Sequence, residues 1–268
     1  MISASIVQTA TARALASGAL QPIATQTEVI EDAGARFVVR AASNIAAKAA
    51  AAHRADPLGD YEPDLYVADV GSTHYVLLNK YPATTSHLLL VTRKFQDQER
   101  LLDAADFAAL AELMGALGGL GFYNAGRAAG ASQARKHLQL VPLPLAPEVP
   151  APVPLEPLYA RGALPFRHGF APLGGLDAMH HVYRQLLARC PAAPYNLLAT
   201  REWMLLVPRR QERYESISVN ALGFAGSLFV RDRAELELVR RSGPMNVLRS
   251  VSLQWTIAEA ENKSGDYD

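Results

Sequence analysis

Apolar residues recur along this 268-residue chain in two rhythms, every three to four positions and every second position. The longer rhythm predicts helices. Residues 3–20 are dominated by Ala and Leu, with Gly18 as the stop. Phe107, Leu110, Leu113, Met114 and Leu117 fall on one face of a helix over 103–120. Asp103 or Asp106 can cap its start, and Gly118, Gly119 and Gly121 break it. A third helix spans 177–189, with Met179, Val182, Leu186 and Leu187 inward. Residues 233–241 read as a charged helix, and a last one starts over 244–248.

The shorter rhythm predicts strands. Residues 35–40 are strand-like. Residues 74–80 and 87–92 flank a short connection opened by Tyr81-Pro82, which makes an antiparallel pair. Residues 195–200 and 203–207 form another pair around Arg201-Glu202, patterned as a diverged second copy of the first. Residues 136–141 alternate, so His137, Gln139 and Val141 share one face and Lys136, Leu138 and Leu140 the other. Pro142 and Pro144 stop that strand. The Ala-rich run 41–52 fits either helix or loop, 56–64 reads as a loop, and the tail 261–268 frays.

Composition narrows the class. Half the residues are hydrophobic and 19% charged, as in ordinary globular proteins. The length suits one large domain or two intimately packed ones. Twenty-six basic and 26 acidic residues cancel, so nothing global favours nucleic acid or an anionic membrane. Cys190 is the only cysteine, which excludes an intrachain disulfide and a cysteine-built zinc site. No run of about 18 apolar residues predicts a membrane span. The N-terminus lacks the pattern of a signal peptide, so the expected location is cytoplasmic. Prolines crowd residues 142–157 and predict an extended surface linker, dividing the chain into portions 1–145 and 146–268.

The candidate chemistry lies at 123–144. A polar, glycine-bearing loop, Asn124 to Gln133, delivers the strand that carries His137 and Gln139 side by side. A neutral imidazole is a competent nucleophile near pH 7. Backbone N–H groups of Gly130, Ala131, Ser132 and Gln133 can approach phosphate oxygens, because no bulky side chain intervenes. Ser132, Gln133 and Gln139 add side-chain donors. This pattern suits attack on phosphorus, although a lone strand histidine is commonly structural and such a loop commonly a turn. His180 and His181 are helix neighbours that do not share a face, so they are not expected to bind a metal. Arg209 and Arg210 follow a strand, as surface or phosphate-facing cations.

Asn124, the loop Gly130-Ala131-Ser132-Gln133 and the run Lys136-His137-Leu138-Gln139 resemble the signature of the ATP adenylyltransferases, or diadenosine tetraphosphate phosphorylases, of the histidine-triad superfamily. The usual string is Ser-Gln-Asp-His-Lys-His-Leu-Gln; here Ala134 and Arg135 replace the Asp and the first His. Asn79-Lys80-Tyr81-Pro82 with residues 86–91 resembles the strand pair that supports the nucleotide. Residues 217–231 resemble a second substrate-binding segment. There Ser227 stands where Met is frequent and Arg231 where Lys is frequent.

The resemblance implies an α+β fold, with a histidine-triad-like antiparallel sheet and packed helices. It implies His137 as nucleophile with Gln139 beside it. It also implies substrate contacts from Lys48, Asn79, Lys80, Asn124, Gly130, Ala131, Ser132, Gln133, Asn220, Ala221, Leu222, Ser227 and Arg231. The implied partners are diadenosine tetraphosphate, ATP, ADP and phosphate, with no nucleic acid or membrane. Any Mg2+ or other divalent cation would ride on the nucleotide, and no protein-ligated metal is expected. The implied reaction is reversible phosphorolysis to ATP and ADP. A hydrolase of the same superfamily and a nucleotide-binding sensor are the rival expectations, with a galactose-type uridylyltransferase less favoured because Cys190 alone cannot supply its usual Cys/His metal cluster. Arg135, two residues before the nucleophile, is expected to pair with phosphate or to point to solvent.

Overall fold

The computed structural model describes residues 2–42, 55–84, 86–191 and 194–256. Lys48 and the run 43–54 lie outside the described residues, as does the tail from 257. The first helix, α1 (Ala4–Ala16), is capped by the Ser3 side chain, and Gly18 follows in the left-handed region. An antiparallel pair comes next, β1 (Thr25–Asp32) and β2 (Ala35–Ala42). Then come β3 (Tyr66–Val70), β4 (His74–Leu78) and β5 (Leu88–Thr92). Helix α2 (Ala104–Leu117) starts on a reciprocal capping box in which Asp103 and Asp106 both take part. Strands β6 (Leu120–Ala125) and β7 (His137–Val141) flank the glycine-bearing loop.

After β7 come α3 (Glu156–Tyr159), β8 (Gly169–Pro172) and α4 (Met179–Arg189). The hairpin of β9 (Tyr195–Ala199) and β10 (Trp203–Pro208) follows. Its turn residue Arg201 donates to the Met114 and Gly115 carbonyls at the end of α2. A small ladder of β11 (Arg213–Tyr214) and β12 (Ile217–Ser218) precedes α5 (Ala221–Phe224) and β13 (Ser227–Val230). Helices α6 (Arg233–Ser242) and α7 (Pro244–Val251) close the described chain.

Eight strands form one antiparallel sheet in the order β3-β4-β5-β7-β6-β9-β10-β8. The α+β expectation holds. The β6–β9 pairing joins the two portions of the chain into this single sheet. The hairpins β4–β5 and β9–β10 have different neighbours: β3 pairs with the strand that follows it, whereas β8 skips β9 and pairs with β10. Strands β4 to β7, β9 and β10 are buried along their whole length, as their Leu- and Val-rich runs require.

One face of the sheet packs under α1, α2 and α4, with Leu138 and Leu140 in that core. The other face carries two apolar clusters. The larger holds Phe122, Val141, Leu198 and Leu205 against the three-stranded sheet β1-β2-β13. The smaller holds Leu58, Tyr75, Leu77, Leu89 and Val91.

The proline-rich stretch is not the expected surface linker. Leu145, Val153, Leu155, Leu158 and Tyr159 belong to the larger cluster, and Ala146 and Val149 pack on Val38. Proline sets the extended path, but the interleaved Leu and Val side chains give it an apolar face to bury.

Two buried charged groups fix the frame. Lys136 lies on the helix-covered face, 0% exposed. It donates to Asp106 Oδ2 at 2.5 Å and to the Leu101 carbonyl at 3.0 Å. Asp106 Oδ1 lies 3.1 Å from His74 Nε2, and Oδ2 also accepts from the Asp103 backbone N–H at 2.8 Å. Burial alone pushes the Asp106 carboxyl up, but these hydrogen bonds outweigh it and hold the group below the ordinary carboxylate range.

Arg209, just past β10, is neither a surface nor a phosphate-facing cation. It is 2% exposed. Nη1 donates to Asn196 Oδ1 at 2.5 Å, the Val219 carbonyl at 2.8 Å and the Ala129 carbonyl at 3.2 Å. Nη2 reaches the Gln211 and Glu212 carbonyls, and Nε reaches that of Val251. Burial pushes its pKa down, to about 9, and Glu212 opposes this, so it remains a cation at neutral pH.

Truncating Arg209 orphans several buried carbonyls at once. Arg209→Met should lower the unfolding free energy by about 3–5 kcal/mol, read by urea denaturation; a loss below about 1 kcal/mol would show that the network is incidental. Asp106→Asn should cost a similar amount, about 3–5 kcal/mol at pH 7. Because the folded pKa is depressed, this stabilisation is complete above the unfolded value of about 4 and fades as pH falls through the folded value. The difference between variant and parent should therefore shrink below about pH 4. A difference that does not change with pH there would contradict a stabilising Asp106 charge.

Candidate active site

His137 opens β7 on the face that bears the two apolar clusters, and it is buried. Its backbone N–H donates to Gln98 Oε1 at 2.8 Å, and Gln98 Nε2 donates to the His137 carbonyl at 3.2 Å and the Asn124 carbonyl at 2.8 Å. One buried amide therefore clamps β7 to β6 at the histidine. On the ring, Nδ1 lies 2.8 Å from the Arg135 carbonyl. A carbonyl only accepts, so Nδ1 carries the proton and the lone pair is on Nε2. Burial pushes the imidazole pKa down from its ordinary value, and the Arg135 carbonyl opposes this less strongly. The ring is neutral at pH 7, as a nucleophile requires.

Gln139, two residues on, is on the same face. Its Oε1 accepts from His87 Nε2 at 2.9 Å, and His87 Nδ1 in turn lies 3.1 Å from Asn79 Nδ2. Asn79 Oδ1 takes the Tyr81 backbone N–H at 3.2 Å, which fixes the amide the right way round. The chain Asn79–His87–Gln139 thus turns the Gln139 NH2 away from His87. The His87 ring also packs on Phe122, 5.7 Å between centroids.

The loop between β6 and β7 turns through a 3-10 segment, Arg127–Ala129, into Gly130. Gly130 has φ +89°, and a side chain there would collide with the Val219 carbonyl and the Asn220 backbone. The glycine therefore lets the loop lie directly on the second segment. Asn124 ties the same contact from below: its Oδ1 accepts from Asn196 Nδ2 at 2.8 Å and from the Ala221 backbone N–H at 2.9 Å. Asn220 caps α5, its Oδ1 taking the Leu222 N–H at 3.0 Å. Ala221 is buried and Leu222 half-buried. Ala131 bonds back to the Gly126 carbonyl. Among the described residues, neither Ser132, which is exposed, nor Gln133 is hydrogen-bonded.

The structure thus brings His137, Gln139 and Asn79 into one set, and Asn124, Gly130, Asn220, Ala221 and Leu222 into another. Gln98 and the β6–β7 pairing bridge them. Three expected contact residues are engaged elsewhere in this structure. Lys80 Nζ donates to Glu62 Oε1 at 2.5 Å. Arg231 is bound to Glu235, at 2.7 Å from Nε. Ser227 receives Arg40 Nη1. Arg40 also lines a hollow of about 260 Å³ with Thr84, Pro142 and Leu145. That hollow opens past the far end of β7 and does not include His137 among its walls.

Arg135 does not point to solvent, because its guanidinium is engaged within the protein. Its Nε lies 3.0 and 2.9 Å from the two Asp56 carboxylate oxygens, and Nη1 donates to the Thr92 carbonyl at 2.9 Å. Gln98, His87 and Asp56 are supports that sequence reasoning missed, because each acts across the sheet from a distant segment. Only the Ser86-His87 run carried a local signal. Among the described residues, no three His, Cys, Asp or Glu side chains stand together as a metal site, and no helix is long and apolar enough to cross a membrane.

Solved structures share this fold. The crystal structure of yeast Ap4A phosphorylase Apa2 in complex with AMP superposes with a TM-score of 0.81 at 23% identity, covering 95% of this chain and 97% of that one. The same yeast protein in complex with Ap4A gives 0.77 at 22% identity, covering 92% and 96%. In sequence, diadenosine 5',5'''-P1,P4-tetraphosphate phosphorylase 2 of Saccharomyces cerevisiae is 28% identical over 236 aligned positions, covering 68% of this chain and 70% of the relative. Protein APA1 of the same yeast is 28% identical over 225, covering 66% and 69%. Residues 2–161 match the profile of the Ap4A phosphorylase N-terminal domain, and residues 162–254 that of the ATP adenylyltransferase C-terminal domain. The two profiles meet between β7 and β8, where the chain crosses from one half of the shared sheet to the other, and together they make this chain a member of the Ap4A phosphorylase family.

Proposed function

We propose that the chain phosphorolyses diadenosine tetraphosphate to ATP and ADP through an adenylyl group carried on His137. The observation that carries this reading is the His137 ring: buried, neutral, with Nδ1 anchored on a carbonyl and Nε2 bearing the lone pair. Family membership and the Apa2 likeness support the substrate class. In the first step Nε2 attacks the α-phosphorus. A P–N bond forms, the P–O bond to the triphosphate side breaks, and ATP leaves. In the second step an oxygen of inorganic phosphate attacks the same phosphorus. The P–N bond breaks, ADP leaves, and the electron pair returns to Nε2. Nδ1 keeps its proton throughout, and the Arg135 carbonyl stabilises the transient imidazolium. Splitting the reaction in two avoids bringing two polyanions together at once.

Charge neutralisation falls to Lys80, Lys48 and Arg231, and the N–H groups of Ser132 and Gln133 approach the phosphate oxygens, whereas those of Gly130 and Ala131 are taken by the Arg127 and Gly126 carbonyls. The Gln139 NH2 donates beside the imidazole. Asn124, Asn220, Ala221, Leu222 and Ser227 shape the nucleotide end. A divalent cation such as Mg2+ would arrive on the polyphosphate, since the donor set here is amide and imidazole rather than clustered carboxylate. A cytoplasmic location fits these substrates.

Incubation with diadenosine tetraphosphate should yield ATP and ADP only when phosphate is present. AMP and ATP formed without phosphate would make water the acceptor, and the protein a hydrolase. Substrate labelled at the α-phosphorus, given without phosphate, should leave acid-labile, alkali-stable label on the chain. His137→Ala should abolish label and turnover while nucleotide still binds; label that persists in this variant would remove His137 from the chemistry. The acid limb of the labelling rate should lie below the ordinary imidazole value of about 6.5, because burial lowers the His137 pKa.

Lys80 is a second point of test. Exchanging Glu62 for a polyphosphate makes Lys80→Ala raise KM for the tetraphosphate more than KM for phosphate. Equal effects on the two constants would leave Lys80 as a partner of Glu62 only.

A further inference from the structure

Arg135 and Ala134 are where this chain departs from the usual signature, and the structure gives Arg135 a partner 79 residues earlier. Its guanidinium grips the Asp56 carboxylate with Nε at 3.0 and 2.9 Å and Nη2 at 2.5 Å. Nη1 holds the Thr92 carbonyl at 2.9 Å and the Arg93 carbonyl at 3.2 Å, at the end of β5. Phe95 stacks against it, 5.4 Å from the ring centre. The side chain is 10% exposed. Planarity matters here, because only a guanidinium can meet a carboxylate edge and two carbonyls at the same time.

The turn carrying Asp56 is shaped for that grip. Asp56 Oδ1 takes the Gly59 N–H at 3.0 Å, and the Asp56 carbonyl takes those of Gly59 and Asp60. A side chain at Gly59 would overlap both the Asp56 carboxylate and Arg135 Nη2. Tyr75 Oη donates to the Leu58 carbonyl at 2.6 Å and pins the turn to β4.

Arg135 lies two residues before β7, outside its ladder with β5, and its backbone makes a single bridge with Asp97. Its carbonyl is the acceptor for His137 Nδ1–H. The direction of that carbonyl, and with it the ring angle and tautomer of His137, is set by the bridge through Lys136 N–H and the Gln96 carbonyl at 2.7 Å together with the grip on the Arg135 side chain, which ties the same residue to the end of β5 and to the Asp56 turn. We propose that Asp56 is a positioning residue for adenylyl transfer, acting through Arg135 to hold the carbonyl that sets the His137 tautomer. This rests on His137 being the nucleophile. It also assigns the departure from the family string a role: the Asp56–Arg135 pair supports the nucleophile from behind.

The test compares Asp56→Ala, Arg135→Lys, Arg135→Met and the double variant Asp56→Ala/Arg135→Met in the full chain. Single-turnover labelling of His137 should slow by about 10- to 100-fold in each single variant, the scale of a small misplacement of a reacting group. Nucleotide affinity should stay unchanged. The double variant should be no slower than Arg135→Met, because the two residues act as one unit. Arg135→Lys is the sharpest arm: it keeps the charge but loses the fork, so a charge-only role predicts wild-type labelling. The second readout needs no turnover. Side-chain 15N NMR of His137 should show the Nδ1–H tautomer in the parent and a mixture in Asp56→Ala. Wild-type labelling in Arg135→Lys, additive losses in the double variant, a loss confined to nucleotide affinity, or an unchanged tautomer in Asp56→Ala would each overturn the proposal. A parent that never takes up label fails the nucleophile reading instead, and the tautomer comparison still judges the pair.

Discussion

The structure depends on one buried guanidinium. Arg209 donates to five backbone carbonyls and to Asn196, and these acceptors come from the β6–β7 loop, β9, the segment before α5 and the end of α7. Removing a full charge from water costs several kcal/mol, so such a group persists only when nearly every donor is met. An ammonium could not replace it, having three donors on a single point and no plane to spread them across. Asn196 passes the constraint to Asn124, whose Oδ1 receives the Ala221 N–H. Through this relay the loop before His137 and the loop before β13 share one rigid support. The two halves of the chain are thereby tied at these loops as well as through the single sheet.

Register does the rest. Lys136 and His137 are neighbours on opposite faces of β7, and each face has a different electrostatic character. On the helix-covered side a fixed negative charge, Asp106, answers the Lys136 ammonium. On the other side His137 has amides and carbonyls around it, and burial favours its neutral form. A slip of one residue would put the ammonium in the place of His137 and the imidazole against Asp106. Gln98, holding both the N–H and the carbonyl of His137, pins the register at the position where the error would matter most.

Local patterns made much of this readable. The α2 capping box, both hairpins and the shared face of His137 and Gln139 follow from side-chain period and turn chemistry over a few residues. What escaped was long-range. Asp56 and Arg135 are 79 apart, Asn124 and Asn196 72 apart, and no periodicity links such pairs. The proline-rich stretch was misjudged for another reason: proline count set the expectation, although Leu145, Val149, Val153 and Leu155 all turn inward. Arg209 shows the same limit, since a charged residue after a strand gives no sign of how many carbonyls converge on it.

The cations expected to meet substrate divide by how firmly they are held. Lys80 is 27% exposed and Arg231 51% exposed, each paired with one carboxylate. The Lys80–Glu62 pair, partly open to solvent on both sides, is of the kind worth about 0–1 kcal/mol, so a polyphosphate with several charges can take this cation at little cost, whereas Arg231 answers a buried Glu235 carboxylate. Arg135 is different. Its donors are spent on a bidentate carboxylate and two carbonyls in a nearly closed pocket, and releasing it would leave Asp56 half-buried without its counter-charge. Asp56 is itself held below the ordinary carboxylate range, first by its hydrogen bonds from Arg135. In the proposed reaction Lys80 would exchange Glu62 for substrate, whereas Arg135 would keep its partner throughout. A pair open to solvent on both sides lets a charge change partner, and a forked, enclosed pair holds it still.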